Sequence, residues 1–313
     1  MTSTGPGILL EAGDLLPLRE SVSDSSIAVM GGSVLALIAD ERAFPSRLAG
    51  MLAGLEKPWC GRITAGRRSI PVTDKAARKI VGFVGSPPVG PAGMTPGGLL
   101  GLAASAGGIG PGRASGAVRE MMDWCGLASL SGSRLEDLPP DAAFATAFAL
   151  ALMHNPSVLI IEPRVPEAFY THLDAMKDAG KAIVVTGRGL AELPPCTDRV
   201  ALCTSTDLVR TLVRTELVEA ASGASEIRVE FCPALPRRLI EEMPGMEVLQ
   251  GTETGYRLRH RTPLSAVTWL LTLARANART VSGLEIRPPS VSDLIDMTDP
   301  GRVRTLFDED PGE

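Results

Sequence analysis

The sequence predicts an α/β protein with a doubly wound core that carries a helical insertion, followed by a small α+β domain. In the first third, short apolar strand patterns alternate with Gly and Pro, which mark turns. Residues 158–161 form an unbroken apolar run after an Asn-Pro pair, as expected of a buried parallel strand. After residue 210 the pattern changes to β-α-β-β-α-β-α, which is typical of a ferredoxin-like domain.

The first half of the core reads as an antiparallel beginning followed by a strand, a loop and a helix. Residues 34–39 form an apolar strand, and residues 47–55 have the apolar spacing of a short helix. This order is that of a phosphate-binding βα unit. The predicted strands of this half are residues 8–12, 26–30, 34–39, 61–65 and 81–84.

The second half of the core alternates helices with strands. Residues 86–115 are rich in Gly and Pro, which indicates loops around a helix at 97–106. The predicted strands are residues 158–161, 182–186 and 199–203, the last of which closes the sheet. The predicted helices are residues 115–126, 141–154 and 167–179.

The change of pattern sets the domain boundaries. We predict a first domain over 1–215 and an accessory α+β domain over 223–300, with the boundary near Ser222-Gly223. The acidic end, 301–313, is predicted to be disordered. The strands of the accessory domain are predicted at 227–231, 246–250, 256–260 and 284–287, and its helices at 234–242, 263–276 and 290–298.

Composition excludes several classes of protein. At 313 residues the chain is long enough for about two domains at the usual ~100–200 residues each. A content of 44% hydrophobic and 21% charged residues is that of a globular protein, not a disordered one. The net charge of -5 is mild and of the wrong sign for a nucleic-acid binder, so we expect no nucleic-acid partner.

The spacing of the cysteines and histidines argues against a metal site and a disulfide framework. The length of the apolar runs argues against a membrane-spanning segment. The five cysteines form no C-x-x-C pair, and the three histidines lie far apart. The longest apolar run, residues 142–153, is well short of the ~20 residues that span a bilayer. The first residues, MTSTGPG, lack the basic start of a secretion signal, so we expect a cytoplasmic protein.

Several apolar fragments occur in one order and at near-ungapped spacing. Together they resemble residues around the motifs of a nucleotide-binding subunit of ATP-binding cassette (ABC) transporters, over residues 8–210. The segment PPSVSDLIDMT resembles the C-terminal extension of exporter-type members. The fragments of the core are GSVLALIA, LAGMLAGLEKPWCGRI, KIVGFV, HNPSVLII, GKAIVVT and DRVALC.

The resemblance implies a fold and partners. The fold would be a P-loop NTPase-like cassette core with an antiparallel β-subdomain and a helical subdomain. The partners would be a membrane permease subunit, a second nucleotide-binding subunit, or both. The chain would then lie peripherally on the cytoplasmic face of a membrane.

The phosphate loop of such subunits, G-x-x-x-x-G-K-S/T, is replaced here. Glycine N–H groups and the lysine of that motif hold the phosphates. In the ungapped register Pro45 stands at the lysine position and supplies neither an ammonium nor an N–H. Only Ser46, at the magnesium-ligand position, is kept. The vestigial positions of this loop are Ala39, Arg42, Phe44, Pro45, Ser46 and Arg47.

The strand before the catalytic carboxylates is followed here by Glu162 and Pro163. In one register Glu162 imitates the Asp that holds magnesium, and Pro163 replaces the catalytic Glu and cannot act as a base. With a one-residue gap, Glu162 becomes the catalytic Glu and the magnesium Asp is missing. Neither register supplies both carboxylates.

The signature segment, which presents N–H donors at a helix start, reads Pro139-Pro140-Asp141. The two prolines remove two donors, and we expect Asp141 to cap the helix that follows.

The remaining motifs are also replaced. Ser86 stands at the glutamine-loop position and is too short to reach a metal. Arg188 stands at the switch-histidine position and cannot relay a proton near neutral pH. Phe169 replaces the Asp of the loop that follows the carboxylates.

These replacements predict a pseudo-ATPase that acts as a structural or regulatory component of a transporter. We expect no catalytic residue and no metal site, and ATP with magnesium would bind only if weak binding survives. Two alternatives remain open. One is a weakly active or nucleotide-binding subunit of an exporter, and the other is a soluble scaffold protein that uses a repurposed cassette fold.

Overall fold

The chain divides into two compact units, Met1–Thr211 and Leu212–Glu313. Our prediction placed the end of the first domain at 215. The predicted disordered end, 301–313, lies outside the described residues. A computed structural model describes residues 7–13, 26–41, 43–58, 61–85, 87–88, 90–204, 208–252, 254–260 and 262–298.

Up to Val213 the described residues form strands and helices that alternate along the chain. The strands are β1 Ile8–Gly13, β2 Ile27–Met30, β3 Ser33–Ile38, β4 Arg62–Ala65, β5 Ile70–Pro71, β6 Val81–Val84, β7 Val158–Ile161, β8 Ala182–Gly187, β9 Arg199–Cys203 and β10 Leu208–Val213. The α-helices are α1 Ala43–Leu52, α2 Pro96–Ala106, α3 Pro111–Trp124, α4 Pro140–Leu152 and α5 Tyr170–Asp178.

The antiparallel sheet has the strand order β2-β1-β4-β5. β1 pairs antiparallel with both β2 and β4. Along β1, Leu10 and Ala12 are buried and Glu11 is exposed, so one face packs on the core and the other faces solvent. The predicted antiparallel beginning is confirmed.

The second sheet is six-stranded, in the order β10-β9-β3-β8-β7-β6. Parallel pairing joins β3 to β8 and β9, and β7 to β6 and β8. Every residue of β7 and β8 is buried, as expected for strands that are covered on both faces. These pairings confirm the predicted parallel core.

β10 corrects one expectation. We expected residues 199–203 to close the sheet, but β10 extends the sheet beyond β9. β10 carries Arg210 and Thr211 and has the weak apolar pattern of an edge strand. This pattern makes the strand difficult to predict from the sequence.

Four helices, α1 to α4, begin earlier than the sequence predicts, and each contains proline in its first turn. α1 begins at Ala43, not at 47, so Phe44 and Pro45 belong to the helix. α4 begins at Pro140. Proline is tolerated in the first turn because the N–H groups there have no partner inside the helix.

α4 is the buried helix of the core. Its alanines allow close approach of neighbouring elements, and nearly all of its residues from Ala142 to Leu152 are buried. Its aromatic residues Phe144 and Phe148 stack with ring centroids 5.9 Å apart. Phe148 is fully buried.

The rest of the chain forms a two-layer α+β unit. Its sheet has the order β12-β13-β11-β14, with antiparallel neighbours, and α8 packs against it. This is the order of a ferredoxin-like fold and confirms that prediction. The elements are α6 Arg214–Ala224, β11 Glu226–Cys232, α7 Arg237–Ile240, β12 Glu247–Gly251, β13 Gly255–Arg259, α8 Pro263–Ala276, β14 Thr280–Arg287 and α9 Val291–Thr298.

Candidate nucleotide site

The predicted site residues follow three strands that end at the same edge of the parallel sheet. Ile38 of β3 pairs with Gly187 of β8, and Ile161 of β7 pairs with Val185. The carboxyl ends of parallel strands meet at one edge, which is where ligands bind in open α/β sheets. The phosphate-loop residues, Glu162 and Arg188 therefore belong to the same region.

Ser46 and Glu162 are in direct contact. Ser46 Oγ donates a hydrogen bond of 2.8 Å to Glu162 Oε1, although the two residues are 116 positions apart in the chain. The backbone of Glu162 is also fixed, because its N–H donates to Val84 O at 2.9 Å. Thr186 Oγ1 donates to Glu162 O at 2.5 Å. The structure thus aims this carboxylate at the first turn of α1.

The turn that would hold phosphate is lined by apolar and acidic residues. Phe44 is 3% exposed and belongs to the hydrophobic core, and Pro45 next to it is also buried. Ala39 is buried, and its N–H donates to Gly187 O at 3.4 Å. The next two residues, Asp40 and Glu41, are exposed.

Arg47, the described arginine of the phosphate-loop positions, lies in an ion pair at the surface. Arg47 Nε lies 3.8 Å from Glu56 Oε2 in a surface ion pair, and the two side chains are 57% and 50% exposed. Arg42 lies outside the described residues. An exposed pair of this kind is screened by solvent and contributes little to stability.

The signature segment corrects our expectation for Asp141. The N-cap of α4 is Pro139, which makes no side-chain capping bond, and Asp141 lies inside the first turn. Asp141 therefore does not cap the helix, because Pro140 already occupies the first helical position. Its negative charge still favours a helix start through the helix dipole.

The other predicted positions are spread around the region. Arg188 is exposed, and its backbone N–H donates to Glu192 Oε2 at 2.9 Å. Its guanidinium forms no ion pair within the described ranges. Pro163 is half-buried beside Glu162. Ser86 lies outside the described residues.

Phe169 is a core residue. It is 5% exposed, and its ring centroid lies 5.0 Å from that of Phe144 and 5.2 Å from that of Phe148. Phe169 thus packs on α4, where a charged group would be desolvated.

The residues present do not fit magnesium-bound ATP. A triphosphate needs N–H donors and a cation at the first turn of α1. Among the described residues, this turn offers Pro45, the buried Phe44 and the neighbouring acidic Asp40 and Glu41. The pair of Ser46 and Glu162 is the part of the site that could face a metal. Across the part of the chain that the structure describes, no group of three or more His, Cys, Asp or Glu side chains could hold a metal ion.

Solved structures share this architecture. An ATP-binding subunit of an ABC transporter superimposes with a TM-score of 0.57, at 19% identity, over 67% of this chain and 91% of its own. A nucleotide-free ATP-binding cassette from an ABC transporter superimposes with a TM-score of 0.54, at 16% identity, over 66% of this chain and 92% of its own. The chain has the fold of an ATP-binding cassette. An ATP-binding cassette of an ABC transporter in its ADP conformation superimposes with a TM-score of 0.55, at 16% identity, over 69% of this chain and 94% of its own.

The cassette fold is a P-loop NTPase fold, so the predicted fold class is confirmed. No protein-family model matches the sequence, and no curated protein matches it. Within the described residues, none of the helices combines the length and the hydropathy that a membrane-spanning segment requires.

Sequence reasoning missed one residue of this region of the cassette fold. Thr186 is buried, and its hydroxyl fixes the carbonyl of Glu162 from the neighbouring strand. The signal was a hydroxyl residue near the end of an otherwise apolar strand. Such a residue is expected to find a hydrogen-bond partner when it is buried.

Proposed function

We propose that this chain is a catalytically inactive cassette subunit, a pseudo-ATPase, that serves a structural or regulatory role in an ABC transporter complex. The observation that carries the proposal is the first turn of α1, where Phe44 and Pro45 are buried in place of a glycine and a lysine. The turn cannot supply the ammonium that neutralises phosphate charge, and Pro45 has no N–H to donate.

The contact of Ser46 with Glu162 supports the same proposal. It favours the register in which Glu162 stands for the magnesium-holding Asp, since that carboxylate lies beside the hydroxyl at the magnesium-ligand position. Pro163 then occupies the position of the catalytic base and has no proton-accepting side chain. Loss of a general base typically costs about 10²–10⁴ in rate, before any loss of phosphate binding.

The proposed partner is a membrane permease subunit, a second nucleotide-binding subunit, or both. A solved structure that shares this fold is an ATP-binding subunit of an ABC transporter. We extend that role to this chain and place it peripherally on the cytoplasmic face of a membrane. The ferredoxin-like unit and the PPSVSDLIDMT segment further favour an exporter-type subunit with a C-terminal extension.

Calorimetry tests the nucleotide side of this proposal. Purified full-length chain is titrated with magnesium-ATP up to about 1 mM, the upper end of common KM values, and phosphate release is measured in parallel. We expect no binding heat and no phosphate above the buffer blank. An active cassette subunit, prepared in the same way, serves as the positive control. Micromolar binding with phosphate release would contradict the proposal and favour a weakly active subunit.

Affinity purification tests the partner. The tagged chain, expressed in its own cells, is recovered from detergent-solubilised membranes, and its companions are identified by mass spectrometry. We expect a multi-span membrane protein in a stoichiometric complex. Recovery of the chain only from the soluble fraction, with soluble companions, would favour a scaffold function instead.

A further inference from the structure

A cavity of about 560 Å³ opens between α3, the end of α4 and α5, and the proposed function makes no use of it. Its walls are mainly apolar and include Met121, Trp124, Met153 and Met176. The volume falls within the roughly 300–1,000 Å³ of small-molecule sites. Methionine side chains are flexible and polarisable, so such walls adapt to an unbranched apolar ligand.

One end of the cavity carries a positive charge without a counter-charge. Lys181 Nζ donates to Asn155 Oδ1 at 2.7 Å and to Pro156 O at 2.6 Å, and both acceptors are neutral. Lys181 makes no ion pair with any described residue. An ammonium has three donors, so one N–H remains for a ligand. Lys181 is half-buried. This burial lowers the pKa of its amine, because no anion offsets the lost hydration.

Glu120, on the exposed side of α3, also lines the cavity and limits what the ligand can carry. Its carboxylate is not paired with Lys181. It disfavours a second negative charge on the ligand, whereas Lys181 favours the first. The walls therefore suit a ligand with a single anionic end and an apolar body.

We propose that this cavity binds a medium-chain carboxylate, with the head group on Lys181 and Asn155 and the acyl chain along the methionines and Trp124. The carboxylate accepts the spare N–H of Lys181 and supplies the missing counter-charge. The acyl chain removes the exposed apolar wall from water. This inference is independent of whether the chain binds nucleotide.

Titration calorimetry of the full chain tests the site, with sodium octanoate, decanoate and dodecanoate as probes below their critical micelle concentrations. We expect saturable binding, with Kd falling about threefold to fourfold for each added methylene. The Lys181→Met variant should bind decanoate about tenfold or more weakly, as expected for loss of a charged hydrogen bond. It should leave 1-decanol, which has the same tail and no charge, little changed.

Two further variants control for folding. Lys75→Met removes a lysine from an exposed turn outside the cavity and should bind decanoate as the unmodified chain does. Ala175→Leu keeps Lys181 and fills part of the cavity, so it should lose affinity for decanoate and decanol alike. Circular dichroism verifies that each variant is folded.

Three results would overturn the inference. The first is no decanoate binding up to about 1 mM, the weak limit of specific affinity. The second is equal decanoate affinity in the unmodified chain and the folded Lys181→Met and Ala175→Leu variants. The third is displacement of bound decanoate by an amphipathic helical peptide that binds the same cavity more tightly, which would assign the surface to a protein partner.

Discussion

At the residue scale, we propose that this region differs from an active nucleotide site in its side-chain chemistry. Ser46 and Glu162 still meet at hydrogen-bond distance, as a magnesium-facing pair would. In the same turn, Pro45 and Phe44 are buried where a lysine and a glycine are needed. On our proposal, this region has lost its phosphate-binding half and keeps one contact of its metal-facing half.

Restoring the lysine alone should not restore activity. We expect the Pro45→Lys variant to release no phosphate from magnesium-ATP, because Ala39 and Phe44 still occupy the glycine positions and Pro163 still replaces the base. A phosphate-release assay checks this result, with Pro45→Ala as the matched control for loss of the proline. Clear turnover in Pro45→Lys would mean that the other replacements are less damaging than the geometry indicates.

At the scale of elements, an aromatic cluster joins α4 to the segment before α5. Phe169 packs on Phe144 and Phe148 from α4, and the ring of His172 lies 5.1 Å from that of Phe169. Burial of these rings ties α4 to the segment before α5. That segment therefore contributes to the core.

Phe169 should therefore not tolerate the carboxylate it replaces. We expect Phe169→Asp to lower the free energy of unfolding by about 3–5 kcal/mol, since it opens a cavity and buries a charge. Phe169→Leu, the matched control, should cost about 1 kcal/mol because it keeps an apolar side chain of similar size. Urea unfolding measures both values. Equal losses in the two variants would contradict the assignment of Phe169 to the core.

In the sheet of the second unit, one carboxylate lies between two arginines. Arg257 donates to Glu226 through Nη2 at 2.6 Å and Nε at 2.7 Å, and Arg228 Nε donates at 2.6 Å. Hydrogen bonds from Arg257 first, and from Arg228, lower the pKa of Glu226 to about 2, although burial opposes the shift. The folded state therefore favours the ionised carboxylate more than the unfolded chain does.

This shift predicts a pH dependence of stability. The contribution of Glu226 is fully present above its ordinary pKa and is lost as the pH falls from about 5 toward 2. The stability difference between the unmodified chain and Glu226→Gln should therefore shrink over that range. Urea unfolding at several pH values measures this difference through the fluorescence of Trp269. Both proteins carry Phe in place of Trp59 and Trp124, so that Trp269 alone reports. A difference that does not change with pH would refute this role of Glu226.

At the scale of the whole molecule, each unit has a hydrophobic core of its own. The core of the first unit includes Leu37, Leu48 and Ile160 from the sheets and α1. That of the second includes Phe231, Leu258 and Leu270 from the ferredoxin-like sheet and α8. A unit with its own core meets the main requirement for folding alone.

The second unit should fold without the first. We expect a fragment of residues 212–298 to show α/β circular dichroism and one cooperative thermal transition. In the same fragment, Leu270→Ala should lose about 2–5 kcal/mol, since Leu270 is fully buried in its core. A fragment that melts without a cooperative transition would show that this core needs the rest of the chain.

Much of this fold could be predicted from periodicity. A short apolar pattern bounded by Gly and Pro predicted β1, and an unbroken apolar run predicted β7. Helix starts were harder to predict. α1 and α4 begin at residues where proline suggests a loop, and only their packing shows that these prolines lie in first turns.

The sequence by itself determined the order of the elements and the absence of a lysine at Pro45, because both are local properties of residue type and spacing. Only the tertiary structure decided which side chains meet. The bond between Ser46 and Glu162, the burial of Phe169 and the cavity beside Lys181 all join distant segments. Such contacts depend on strand order and helix packing, and periodicity along one segment carries no information about either.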